Sequence, residues 1–151
     1  MINGHMEITP VEPGSSQWRR TIEYAKNCSW KAGPFLAKLM EKNAFTRWEK
    51  VFTARDNDTL AGFCALVEKD CIPDAEYTPY ISWIFVGEPY RGSRLSEKMI
   101  QTLMAYAKEL GFAKIFLVSD HINLYEKYGF VKIDEMKDYW NNPEKIYMRP
   151  L

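Results

Sequence analysis

The chain has 151 residues, 26% of them charged, and its 20 Lys and Arg are balanced by 20 Asp and Glu. A formal net charge of zero offers no global field to gather nucleic acid or an anionic membrane surface, so any anion it binds is held locally. Three cysteines without a CxxC pair and only two histidines argue against a disulfide framework and against a metal site, and they fit a reducing cytoplasm.

No apolar run approaches the ~18 residues of a membrane span, and no signal-peptide pattern opens the chain. The length suits one domain over residues 1–151 with a real core. In chain order, Met6–Val11 reads as a first strand closed by Pro13 and Gly14. Ser15 and Ser16 are N-cap residues for a helix to Asn27. A second helix, Pro34–Lys42, has proline in its first turn and an apolar face of Phe35, Leu36, Leu39 and Met40. Val51–Arg55 and Leu60–Glu68, joined by Asp56, Asn57 and Asp58, form an antiparallel hairpin. Asp70–Pro79 is a loop, and Tyr80–Val86 is an aromatic and β-branched strand of central character.

A helix opens near Ser93 with the stripe Leu95, Met99, Ile100, Leu103, Met104, Ala107 and Leu110, and Gly111 stands where a left-handed C-terminal cap falls. Lys114–Ser119 is a short buried strand, parallel to Tyr80–Val86 through the intervening helix. Ile122–Tyr128 reads as a short helix stopped by Gly129, and Phe130–Glu135 with Lys145–Met148 as a last antiparallel pair. The pattern is a mixed α/β (α+β) fold around one sheet.

Between the central strand and its helix lies VGEPYRGSRLSEKMI, residues 86–100. A helix start exposes about four backbone N–H groups and a partial positive charge. With Gly92 before it and Arg91 and Arg94 beside it, the loop has the composition of an anion nest for phosphate or pyrophosphate. A tight turn with two solvated arginines is the plain alternative. Neither GxGxxG nor GxxxxGK[ST] is present, so the dinucleotide and P-loop readings fail.

This stretch, followed by GFAKIFLVS and LYEKYGF, resembles the GNAT N-acetyltransferase superfamily of acetyl-CoA-dependent acyltransferases. The family's loop motif, Gln/Arg-x-x-Gly-x-Gly/Ala, falls on Arg91-Gly92-Ser93-Arg94-Leu95-Ser96, with Arg94 and Ser96 departing from the two small positions. The resemblance implies a mixed, mostly antiparallel sheet with one parallel, splayed strand pair and about four flanking helices. It implies that backbone groups of Ile84, Phe85 and Val86 hold the pantetheine and thioester, beside a bulge near Trp83–Phe85. Amides of Arg91, Gly92, Ser93, Arg94, Leu95 and Ser96 cradle the pyrophosphate, with the Arg94 side chain pointing away from the phosphates or wrapping around them.

By the same resemblance Tyr125, four residues before Gly129-Phe130, protonates the leaving thiolate, while Tyr128 packs. The family's asparagine ahead of this tyrosine is not carried onto Asn123, because the segment is shortened. His121 at a predicted strand end is a candidate base, weighed against a surface or capping role; Glu76 and Glu88 are weaker ones. The tryptophans Trp18, Trp30, Trp48, Trp83 and Trp140 read as core and lid packing, with one or two as candidates for lining an acceptor pocket. Cys64 in a strand and Cys71 in a loop give no support for a covalent intermediate.

The chain therefore reads as a cytoplasmic N-acetyltransferase that moves acetyl from acetyl-CoA to a primary amine by direct attack in a ternary complex. Its acceptor is a small-molecule or peptide amine; no metal, nucleic acid or membrane takes part, and a homodimer follows from family habit alone. The alternatives are a non-catalytic acyl-CoA-binding module and a small interaction domain without nucleotide.

Overall fold

The computed structural model describes residues 6–119 and 123–151. Ten elements follow in order: β1 (Met6–Pro10), α1 (Ser16–Asn27), α2 (Gly33–Glu41), β2 (Lys50–Asp56), β3 (Thr59–Val67), β4 (Tyr80–Val86), α3 (Leu95–Glu109), β5 (Lys114–Ser119), β6 (Val131–Lys137) and β7 (Pro143–Pro150). Short 3-10 turns occupy Glu88–Tyr90 and Tyr125–Tyr128. The strands hydrogen-bond in the order β1-β2-β3-β4-β5-β7-β6, with β4 central. β4 and β5 run parallel, and the β1–β2, β5–β7 and β6–β7 pairs are antiparallel. This is the mixed, mostly antiparallel sheet expected. Of the short helix expected over 122–128, the described residues form a 3-10 turn at Tyr125–Tyr128, ended by Gly129 in the left-handed region (φ 86°) as expected, and Ile122 lies outside the described residues.

Two compact units divide the chain, Met1–Ala65 with Trp83–Thr102, and Leu66–Ser82 with Leu103–Leu151. In the first, the Ser15 side chain accepts from the Trp18 N–H (3.1 Å) and caps α1. Trp18 is buried and its indole donates to the Met40 carbonyl at the far end of α2 (3.2 Å), which joins the two helices. α2 turns Leu36, Ala37 and Met40 inward, whereas Phe35, expected on this face, is 60% exposed. The reason is helical spacing: Gly33, Leu36, Ala37 and Met40 recur at i, i+3, i+4 and i+7 on the buried face, and Phe35 falls on the opposite side. Gly33 lies so close to the Ala25 carbonyl that a Cβ there would overlap it. Val51, Phe52, Ala54, Ala61, Phe63, Leu95, Met99 and Ile100 complete this core.

Gly62 in β3 is the tightest constraint on the sheet in this unit: a Cβ would overlap the carbonyl oxygen of Phe85. An isolated glycine inside an apolar strand marks such close backbone approach. Gly87 donates its N–H to the Ala61 carbonyl (2.7 Å), which holds β4 to β3 as the strand ends.

In the second unit, α3 closes with two bonds typical of a left-handed cap, Gly111 N–H to Lys108 O (3.0 Å) and Phe112 N–H to Ala107 O (3.1 Å). Gly111 has φ 95° there, as its sequence position predicts. Leu103, Ala107, Ile115, Leu117, Phe130, Ile146 and Tyr147 form the core. The loop after β3 is tied down by side chains: Tyr77 Oη donates to Asp134 (2.8 Å), and Thr78 Oγ1 to the Glu68 carbonyl (2.9 Å). Among the described residues the β4–β5 register is carried by Tyr80 opposite Phe116. Trp140, expected to pack, is 70% exposed on the β6–β7 turn, which Asp138 organises by accepting from the Trp140 and Asn142 amides (both 2.9 Å). No described helix is long and apolar enough to cross a membrane.

The Gly62 contact is open to test. Gly62→Ala must push β3 away from the Phe85 carbonyl, so we expect a loss of about 1–3 kcal/mol in chemical denaturation; an unshifted midpoint would contradict the close approach.

Candidate functional site

The loop after β4 folds by its own side chains. After the 3-10 turn Glu88–Tyr90, Ser93 Oγ donates to the Tyr90 carbonyl in a short bond. Gly92 and Arg94 both sit in the left-handed region, at φ 80° and 64°. Left-handed residues within a turn are one ingredient of backbone anion nests. A Cβ at Gly92 would meet nothing within 4 Å, so glycine is required there by the dihedral angle and not by space.

α3 opens at Leu95, later than the sequence start near Ser93. The Arg94 carbonyl accepts from the Lys98 N–H (3.2 Å), which makes Arg94 the cap residue. The amides of Leu95, Ser96 and Glu97 then have no acceptor within the helix. Arg94, at the position where the motif has glycine, keeps a glycine-type backbone without being glycine. Its side chain is 84% exposed and lies 3.9 Å from Glu97, on the first turn of α3. Of the two arrangements open to it, this is the one pointing out to solvent.

Arg91 turns the other way, back toward β4. Its Nε donates to the Val86 carbonyl (3.0 Å), its Nη2 to Ser29 Oγ (3.5 Å), and its guanidinium lies 5.8 Å from the centre of the Phe85 ring. Of the three β4 residues assigned from sequence, Val86 thus has its carbonyl already engaged, and the Phe85 carbonyl faces Gly62. Just upstream, Trp83 takes φ 57° inside the strand, an irregularity at the place where a bulge is expected. Such backbone in a bulky residue costs of order 1–3 kcal/mol and persists only where its surroundings enforce it.

Those surroundings are aromatic, a group that sequence reading left scattered. Trp30 stacks on Phe85 (6.2 Å, 7°) and meets Trp83 edge-on (6.2 Å, 68°). Phe63 packs on Phe85 at 5.3 Å, and Tyr24 is edge-on to both Phe63 and Phe85. Burial pushes the Tyr24 phenol up to about 12, with Cys28 and Tyr90 adding to it and Arg91 opposing. The usable signal was Trp30 in the link between two helices that have apolar faces.

Tyr125 opens the second 3-10 turn, in the other unit. Its ring is surrounded by Tyr128 (6.4 Å), Phe130 (6.4 Å) and Tyr147 (6.3 Å). Burial, then Tyr128, holds its phenol above the usual tyrosine range. The turn is clamped by Arg149 of β7, which donates to the Tyr128 carbonyl and whose guanidinium a Cβ at Gly129 would approach to 3.2 Å. His121, the candidate base, lies outside the described residues.

Cys64 and Cys71 are poor nucleophiles. Cys64 is fully buried and its thiol is pushed far up; Cys71 is pushed up to about 12 by burial first and then by Asp70. Cys71, Asp138 and Glu144 offer atoms within 4.8 Å of one another. Asp138 Oδ1 also accepts from the Trp140 and Asn142 amides.

Residues 16–130 match the family model described as acetyltransferase (GNAT) family. No curated protein matches the sequence. Among solved structures, an acetyltransferase from Streptococcus agalactiae is similar at 24% identity over 99% of this chain and 100% of its own, with a TM-score of 0.66. A GNAT family acetyltransferase from Elizabethkingia anophelis with acetyl-CoA bound is similar at 16% identity over 99% and 100%, with a TM-score of 0.69. An aminoglycoside 6'-acetyltransferase type Ii is similar at 16% identity over 95% and 96%, with a TM-score of 0.72.

The loop dihedrals predict an asymmetry. Gly92→Ala should lose about 1–2 kcal/mol for a forced left-handed residue, while Arg94→Gly should be neutral or stabilising. Urea denaturation of both variants, with the order reversed, would refute the left-handed loop geometry.

Proposed function

Because the chain belongs to the acetyltransferase (GNAT) family, we propose that it is an N-acetyltransferase carrying acetyl from acetyl-CoA directly to a primary amine of a small molecule or peptide. The observation that supports this reading is the loop at the start of α3, where Gly92 and Arg94 are left-handed and the helix opens at Leu95, so that its first-turn amides have no acceptor within the helix and suit a diphosphate. We assign the pyrophosphate to the amides of Arg91–Ser96 and the pantetheine to the backbone of Ile84, Phe85 and Val86, as one acetyltransferase domain over 1–151 working in the cytoplasm without a metal.

Ile84 carries most of the pantetheine role in this reading. Residues alternate in direction along a strand, and the Phe85 carbonyl is turned to Gly62. The Val86 carbonyl becomes available once Arg91 Nε leaves it. Arg91 then supplies cationic charge beside the diphosphate.

The reaction forms a C–N bond as the amine attacks the thioester carbonyl, and breaks the C–S bond as the thiolate departs. The ammonium must first lose its proton, a step for which His121 is the proposed acceptor. Tyr125 is the proposed donor to sulfur. A phenol raised above 10 stays protonated at neutral pH. It also holds its proton more tightly than a thiol near 8.5, so much of its effect comes from hydrogen bonding to the sulfur as charge develops.

Acetyl-CoA and CoA should both raise the melting temperature, and a thiol-release assay with an amine panel separates turnover from mere acyl-CoA binding. Tyr125→Phe should lower kcat by roughly 10²-fold. The wild-type pH profile should show no falling limb below about pH 10 from this group, because a raised phenol is lost as a donor only at higher pH. Full turnover in the phenylalanine variant would remove Tyr125 from the mechanism. Arg91→Glu should weaken acetyl-CoA binding at least tenfold, and an unchanged Kd would remove the loop.

A further inference from the structure

We propose that the acceptor is an amine borne on an aromatic or extended apolar group with a single positive charge, and that Trp30 and Trp83 select it; this rests on the acetyltransferase reading. The five rings of Tyr24, Trp30, Phe63, Trp83 and Phe85 form one connected group inside the first unit. Phe63 and Phe85 are buried at 0% and 7% exposure and form its floor. Trp30 and Trp83 are half-buried, so each keeps indole surface facing out.

Position on the strand gives this group its meaning. Trp83 and Phe85 flank Ile84, whose backbone is assigned to the thioester end of the cofactor, so the rings border the place where the acetyl carbon is attacked. Trp83 is held there at φ 57°, a conformation that a tryptophan serving only as core filler would not need. Stacked and edge-on ring pairs fix the two indoles in position, and rigid aromatic walls favour flat apolar groups over flexible polar ones.

Charge beside the two indoles is limited: Lys31 adjoins Trp30, and no Asp or Glu stands within four residues of Trp30 or Trp83 along the chain, the nearest acids being Glu23, Glu41, Glu76 and Glu88. A polyamine or an aminoglycoside brings several ammonium groups, each needing a carboxylate or its equivalent to offset the loss of water. A monoamine gives up its one charge on deprotonation, before attack, and leaves only its apolar part to be held. The π faces of the indoles also attract the cation as it arrives.

The test measures kcat/KM by thiol release for ethylamine, butylamine, hexylamine and 2-phenylethylamine, with spermidine and an aminoglycoside as polycationic controls. The expected result is a rise of roughly fourfold per buried methylene, giving 2-phenylethylamine at least a hundredfold advantage over ethylamine and at least tenfold over either polycation. Trp30→Ala should collapse the 2-phenylethylamine-to-ethylamine ratio at least tenfold, and Trp30→Phe should restore most of it. Both variants are first checked for an acetyl-CoA thermal shift equal to wild type, which separates lost selection from lost fold. A flat series, a preferred polycation, or a ratio unmoved in Trp30→Ala overturns the inference and leaves the transferase reading standing. Acetyl-CoA binding with no amine acetylated overturns the transferase reading, and the inference with it.

Discussion

A peptide backbone inside a sheet must find partners for both its N–H and its C=O groups, and β4 meets this demand differently along seven residues. At its start, Tyr80 stands opposite Phe116 in a parallel register, with the Phe116 N–H bonded to the Pro79 carbonyl. At its end, the Phe85 carbonyl is pressed toward Gly62, and the Val86 carbonyl is taken by the Arg91 side chain. Between these two regimes, Trp83 adopts a left-handed angle.

The loop that follows extends the same economy of backbone. Gly92 and Arg94 are left-handed, and α3 opens only at Leu95. Arg94 lies in solvent near Glu97, at a separation where an exposed pair contributes little. Arg91 ties the loop to Val86 and Ser29 instead. At the position where the motif has glycine, Arg94 keeps a left-handed angle, which adds strain of about 1–2 kcal/mol.

Chemistry and stability are kept apart in the side chains. The Cys64 and Cys71 thiols are pushed up, chiefly by burial, and are poor nucleophiles. Tyr125 sits among three rings with its proton tightly held. The turn carrying it is fixed by Arg149, a residue far from it in sequence whose role no local pattern announces.

Sequence alone determined the elements and their order, because hydrophobic period, caps and turn residues are local properties: Ser15, Gly111 and Gly129 mark their boundaries without reference to the rest of the chain. It also singled out the loop before α3 as the candidate anion site, since a glycine and two arginines before a helix are a pattern of six residues. Only the tertiary structure decided that Phe35 faces outward and Ala37 inward, that Arg91 turns back to Val86, and that Trp30 comes to lie against Phe85 and Trp83. Those outcomes depend on contacts between distant segments, among them the close approaches of Gly33 to Ala25 and of Gly62 to Phe85. A separation between segments remote along the chain is set by packing, and packing has no period to read.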